Sequence, residues 1–366
     1  MSTSAYIIDS YDYGDLNNLL LGLESLVTDI EMPLLIREED VAKAVSLRDF
    51  VEAAEDGFRQ YGMNLAQTQP RREVRIRNKD LLHADPRMVR IGQGLAFLEQ
   101  SEIAVANHIL SFPEVGNPPL RMLNIIIDAK DGKTIAAVQS LRLLAMRTGA
   151  SGAVGAKFLS RKNSSVVGTI GTGRQGRHQL RFLLLVRPIS KAYAYSLVPA
   201  ETETFCREMS TELDIDVRPA ESIEQVVRNS DIVVTTTQST SPIIKAEWLK
   251  PGLHINIMGA DDTPKIEVEG AALKKADKLV ITAIDCFLAG QLRKPIEEGI
   301  ISEKDVYGNI GEIIAGIKPG RQTDDEITIY HSPGTTLEDA AAAYKAYLRA
   351  KQLGLGINIP DPFMFG

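Results

Sequence analysis

Gly171, Gly173 and Gly176 stand in a G-x-G-x-x-G pattern, with Thr172, Arg174 and Gln175 between them. The pattern directly follows the apolar run Val166–Ile170 and opens a helical stretch, Arg174–Val186. In that setting it is a phosphate loop. The first glycine permits a tight turn and the second lets backbone approach a pyrophosphate. The third lets helix and strand pack closely, and the helix N-terminus supplies N–H donors and a positive dipole. The contact to an adenosine ribose is expected about 20 residues further on, where the run Ala192–Leu197 contains Ser196 and no acid. An uncharged Ser196 does not repel a 2′-phosphate, and Arg174 could offset its charge. The expected cofactor is NAD(P)(H), with a slight lean to NADP(H).

A loop of this kind needs a parallel sheet behind it. Short strands are expected at Val166–Ile170, Lys191–Ser196, Val217, Ile232–Thr237, His254–Met258 and Lys278–Thr282. Helical stretches at Ala200–Leu213 and Ser222–Val227 fall between them, so the middle of the chain predicts a parallel sheet covered on both faces. The ends read differently. Leu34–Ile36, Arg71–Ile76, Met88–Ile91, Ile103–Leu110 and Met122–Asp128 read as strands, and Val41–Tyr61 and Ser140–Leu159 as helices. Pro113, Gly116, Pro118 and Pro119 mark a loop. Near the far end, Glu326–Tyr330 reads as a strand and Leu337–Leu353 as an Ala-rich helix with Glu338 and Asp339 in its first turn, where the dipole favours them. Residues 1–30 read as an extension with one short amphipathic helix over Leu16–Leu26, a terminal arm packing on a neighbour or a second subunit.

The chain has 366 residues, 44% hydrophobic and 24% charged, which is ordinary globular usage and favours two domains. Its net charge of −7 argues against a nucleic-acid partner. No apolar run approaches the roughly 18 residues of a membrane span. Two cysteines cannot make a disulfide scaffold. With no basic, apolar start, the expected compartment is the cytoplasm. The five histidines show no ligand spacing, so no metal is expected.

Taken together, several blocks resemble the ornithine cyclodeaminase/mu-crystallin family. They are Leu144–Ala150, the glycine loop, Asp231–Thr237, Trp248–Gly252, Ile257–Asp261, Pro319–Glu326 and Ser332–Gly334 with Leu337–Asp339. They come in family order across roughly residues 32–353. The resemblance implies an α/β fold: a Rossmann-type doubly wound parallel sheet over 146–330, and a discontinuous α+β substrate-binding and dimerisation domain from 31–145 plus 331–366. It implies a homodimer acting by hydride exchange at a carbon bonded to nitrogen, on a small amino- or imino-acid-like substrate. An imine reductase or amino-acid dehydrogenase is the first expectation. A cyclodeaminase that keeps NAD bound and releases ammonia is the second, and a non-catalytic dinucleotide-binding protein the third.

Residue by residue, the resemblance implies the following. The early carboxylate-binding arginine, two positions after a proline, is Arg72 in Pro70-Arg71-Arg72; the second is Arg147. Two converging guanidinium groups can hold a carboxylate in register. The acid after the fifth strand is Asp261, which would move the proton on the substrate nitrogen or activate water. Thr148, Thr236, Thr237, Met258, Gly259 and Ser332 are implied beside the dinucleotide. One departure stands out. Counting back from Phe112-Pro113 puts Asn107 where the family usually has a lysine, and asparagine carries no charge. Arg90, His108 and His331 are the groups that could supply what is missing; His331 stands where the family commonly has aspartate.

Overall fold

Strands β5 (Ile103–Ser111) and β6 (Leu120–Asp128) alternate buried with half-buried residues, the signature of a sheet covered on one face. They belong to a first sheet with β1 (Leu34–Ile36), β2 (Ala66–Thr68), β3 (Arg72–Ile76), β4 (Val89–Leu98) and β7 (Thr134–Gln139). The computed structural model describes residues 32–70, 72–76, 89–111 and 120–361. The N-terminal extension with its Leu16–Leu26 helix, Arg71, Met88, and the Pro113–Pro119 loop lie outside the described residues. The helices Leu47–Gly62, Leu141–Leu159 and Thr336–Gln352 pack on one another, and the last lies against β4, β5 and β6. The run Ala340–Ala343 is buried in the shared core, where small side chains let the helix approach closely.

The second sheet is wholly parallel. It contains β8 (Val166–Ile170), β9 (Lys191–Tyr195), β10 (Asp216–Pro219), β11 (Ile232–Thr235), β12 (His254–Ile257), β13 (Lys278–Ile281), β14 (Val306–Asn309) and β15 (Thr328–His331). Its order is β10-β9-β8-β11-β12-β15-β13-β14. The chain runs outward from β8 in one direction, then returns to β11 and runs outward in the other through β12, β13 and β14, and β15 comes back to lie between β12 and β13. This is a doubly wound sheet, and the crevice at such a reversal is where ligands bind. A last strand, β16 (Ile357–Asn358), pairs antiparallel with β1 at the edge of the first sheet.

Some elements differ from expectation. β7 and β14 were not anticipated, and β15 ends at His331 rather than Tyr330. The helix Leu141–Leu159 spans the expected boundary at 145/146 and packs against both the Leu47–Gly62 helix and strands β12 and β15. Among the described residues no helix is long and apolar enough to cross a membrane.

Candidate functional site

The loop after β8 has the geometry that its glycines permit. Gly171 has φ +100°, a left-handed conformation that side chains rarely adopt, and its N–H donates to the Tyr195 carbonyl at 2.9 Å. A Cβ on Gly176 would sit 2.2 Å from the Gly171 carbonyl oxygen, so only glycine lets this helix approach the strand. A Cβ on Gly173 would meet nothing within 4 Å. That open space lies at the N-terminus of the helix Arg174–Leu183. The buried Thr172 Oγ1 and Gln175 Oε1 have no partner among the described residues. Polar atoms without partners around an open helix N-terminus fit a pyrophosphate. A cavity of about 410 Å³ starts here, passes Tyr195, Ser196 and Glu201, and ends at Thr237–Ser239. Arg174 is exposed and outside its lining. Gly173→Val is expected to weaken NADH binding about tenfold or more while leaving the melting temperature close to the parent's. Unchanged affinity in a titration of the folded variant would contradict the loop's role.

Two turns beyond the loop are tied together by a residue that the sequence did not single out. Glu267 is fully buried. One carboxylate oxygen accepts from Thr235 Oγ1 at 2.7 Å and from the Gly259 N–H at 2.9 Å; the other accepts from the Thr237 N–H. Burial pushes its pKa up, and the surrounding donors pull against that. It thus joins the turn after β11, carrying Thr236 and Thr237, to the turn after β12, carrying Met258 and Gly259. Thr236 Oγ1 donates to the Gly171 carbonyl at 3.0 Å, which links this unit to the phosphate loop. Met258 is buried, with its N–H on the Thr235 carbonyl.

Asp261 follows directly on the second of these turns. Its side chain is 50% exposed and pairs with Lys265, one turn on, at 2.5 Å. Arg147 is almost fully buried. Its Nε meets Asp339 at 2.7 Å and its Nη1 meets Glu338 at 2.9 Å. Burial alone would lower the Arg147 pKa, but Asp339, Glu338 and, more weakly, Asp261 raise it. Arg147 and Asp261 therefore share one electrostatic neighbourhood. Ser332 is buried beside them: its Oγ donates to Glu338 at 3.1 Å and lies 3.0 Å from Ser151 Oγ. Thr148 Oγ1 donates to the Leu144 carbonyl of its own helix, and the Thr148 carbonyl accepts from Gln179 Nε2.

Asn107 is fully buried on the helix-covered face of the first sheet. Ser140 Oγ donates to the Val138 carbonyl at 2.7 Å, which makes it an acceptor for Asn124 Nδ2 at 2.8 Å. Asn124 Oδ1 must then accept from Asn107 Nδ2, at 2.7 Å. The direction of the chain leaves Asn107 Oδ1 as a buried acceptor with no partner among the described residues. Where a lysine would offer donors, this position offers an acceptor.

The other expected site residues separate. Arg72 is exposed, and its register partners are Gln93 and, one strand further, His108. That row lies on the face opposite Asn107, so the structure does not bring Arg72 to Arg147 or Asn107. His108 lines a cavity on that outer face with Glu38 and Arg121. The backbone of Arg90 pairs with Arg75 and Ser111 in β4's ladders. His331 is buried, with Nε2 at 3.3 Å from the Ala260 carbonyl, and burial lowers its pKa to about 4. A neutral His331 cannot supply a positive charge, but it steadies the turn that carries Asp261. Lys265 and Glu267 are the residues that sequence reasoning missed. An acid flanked by Ile266 and Val268 was the available signal.

A glycine turn between a central parallel strand and a helix, opening on the crevice where the strand order reverses, defines a Rossmann-type α/β protein with a dinucleotide cleft. The chain belongs to the ornithine cyclodeaminase/mu-crystallin family, whose model matches residues 32–353. It is 34% identical over 329 residues to the alanine dehydrogenase of Archaeoglobus fulgidus, covering 89% of this chain and 98% of that one. The structure of Thermococcus litoralis Δ1-pyrroline-2-carboxylate reductase with NADH and L-proline is similar, with TM-score 0.80 and 31% identity, over 89% of this chain and all (100%) of that one. An archaeal alanine dehydrogenase dimer with bound NAD gives TM-score 0.81 and 32% identity, over 91% of this chain and 100% of that one.

Proposed function

We propose that this protein is a nicotinamide-dinucleotide-dependent oxidoreductase acting on a C–N bond: an imine reductase or amino-acid dehydrogenase for a small carboxylate-bearing substrate. The observation that carries this reading is the convergence of Asp261, Arg147 and the phosphate loop on one edge of the parallel sheet. The names of its relatives, which include a cyclic-imine reductase and an amino-acid dehydrogenase, support the reaction type.

A bound nicotinamide dinucleotide supplies or accepts the hydride. The chain's own residues do the rest. Asp339 and Glu338 take Nε and one Nη1 donor of Arg147 and fix the plane of its guanidinium. A guanidinium carries five N–H donors, so others remain for a substrate carboxylate. Asp261 gives the nitrogen its proton in the reducing direction and takes it in the other, and its contact with Lys265 holds the carboxyl group in place. Asn107 Oδ1 accepts an N–H from the substrate. Arg72 has no part in this arrangement. Supplying NADH with cyclic imino acids, and with 2-oxo acids plus ammonia, should give substrate-dependent loss of nicotinamide absorbance with at least one. Loss with none of them would reject the substrate class.

We also propose that the protein is a homodimer, with the domain built from both chain ends serving assembly and substrate binding. The outer face of its sheet leaves Val74 64%, Ile91 42% and Leu95 45% exposed, an apolar surface that a second copy would cover. Light scattering on the eluting protein should give a dimer mass; a monomer mass at micromolar concentration would contradict it.

A further inference from the structure

The cavity that begins at the phosphate loop carries a charge beside Ser196, on Glu201. Its sides are Tyr195, Leu197, Val198, Ile223 and Ile243, and among the described residues Glu201 is the only one of its lining that carries charge. Ser196 is at the expected place, but its hydroxyl is already committed. It donates to the Val198 carbonyl at 3.1 Å and lies 2.9 Å from Thr202 Oγ1, while the Ser196 N–H donates to that same Thr202 oxygen at 3.1 Å. These bonds fold the end of β9 back onto the first turn of the helix Pro199–Leu213, which carries Glu201. Glu201 is exposed and has no ion pair among the described residues.

We infer that Glu201, rather than Ser196, sets the cofactor preference, and that it selects NAD(H) over NADP(H). The inference rests on the dinucleotide reading of the loop and specifies one end of it. A carboxylate in this wall accepts from a ribose hydroxyl. It repels a 2′-phosphate, which brings close to two negative charges at neutral pH. A cavity that accommodated that phosphate would need a cation, and among the described residues its lining contains neither lysine nor arginine. Arg174 is outside it. The acid at this end of the cavity stands on the helix after β9 and not at the strand end, which opposes a lean to NADP(H).

Direct titration of the whole protein with NADH and with NADPH, read by nicotinamide fluorescence, tests this without turnover. The parent should bind NADH about tenfold or more tightly than NADPH. Glu201→Lys should narrow or reverse that ratio by about tenfold or more, chiefly by improving NADPH binding. Glu201→Gln removes the charge at nearly constant size and should shift the ratio by about threefold, which keeps the test open if the lysine variant misfolds. A parent that prefers NADPH, or a ratio unchanged within about twofold in either folded variant, would overturn the assignment. If neither dinucleotide binds the parent, the loop reading itself falls, and this inference falls with it.

Discussion

Asp261→Asn should lower turnover by about two to four orders of magnitude, the usual scale for a lost general acid–base group, while NADH affinity changes less than about twofold. Asparagine keeps the size of the side chain and can still meet Lys265, so the turn holding residue 261 should persist. It cannot hold a transferable proton. The separation in the structure makes the two readouts independent: Asp261 lies after the β12 turn, whereas the pyrophosphate end of the cleft is built by Gly171–Gly176 after β8. Activity within about tenfold of the parent, in protein shown to be folded and to bind NADH, would remove Asp261 from the proton transfer. The search would then move to Lys265, because His331 is held neutral by burial.

The second large effect is expected at Glu267. Each of its oxygens accepts a backbone N–H, from Thr237 on one side and Gly259 on the other. Glu267→Gln puts an amide NH2 against one of these donors whichever way it is turned. One buried N–H is left unpaired and a charge-assisted bond is lost. The cost should be about 2–4 kcal/mol of stability, read from the shift of the denaturation midpoint. The turn after β11 lines the cavity and Glu267 ties the turn after β12 to it, so NADH affinity should also fall about tenfold. Gly259 makes the site unforgiving: a Cβ there would lie 2.4 Å from the Thr237 nitrogen. An unchanged midpoint together with unchanged affinity would show that the two turns do not depend on this carboxylate.

The parallel sheet and its loop were legible because local chemistry decides them. A short β-branched strand running into G-x-G-x-x-G has few other structures open to it. β7 escaped because Thr134–Gln139 is Ala-rich and largely buried on both faces, so it shows no alternation. The boundary expected at 145/146 falls inside the helix Leu141–Leu159, which touches elements of both sheets' layers and so carries no local break in the sequence. At the site, Arg72 shows what spacing alone cannot deliver. The proline two residues earlier picks the residue, but the face of a strand changes with every position, and the ladder with β4 decides which face Arg72 takes. Glu267 and Lys265 act through neighbours that the fold brings close, Thr235 and Gly259 for one and Asp261 for the other. Asn107 was noticed as a missing charge. Its leftover acceptor becomes visible only when the bonds through Asn124 and Ser140 fix its orientation.

Net hydride transfer to a C–N double bond fixes the stoichiometry of turnover. The protein should be given NADH and a cyclic imino acid that it consumes, and NADH lost, amine formed and ammonia released should be measured in the same sample. One NADH should be oxidised for each amine formed, with no ammonia released. Ammonia released from an α,ω-diamino acid supplied in a parallel sample, in step with its loss and with no net change in the nicotinamide absorbance, would contradict net hydride transfer and identify a cyclodeaminase that recycles its bound cofactor.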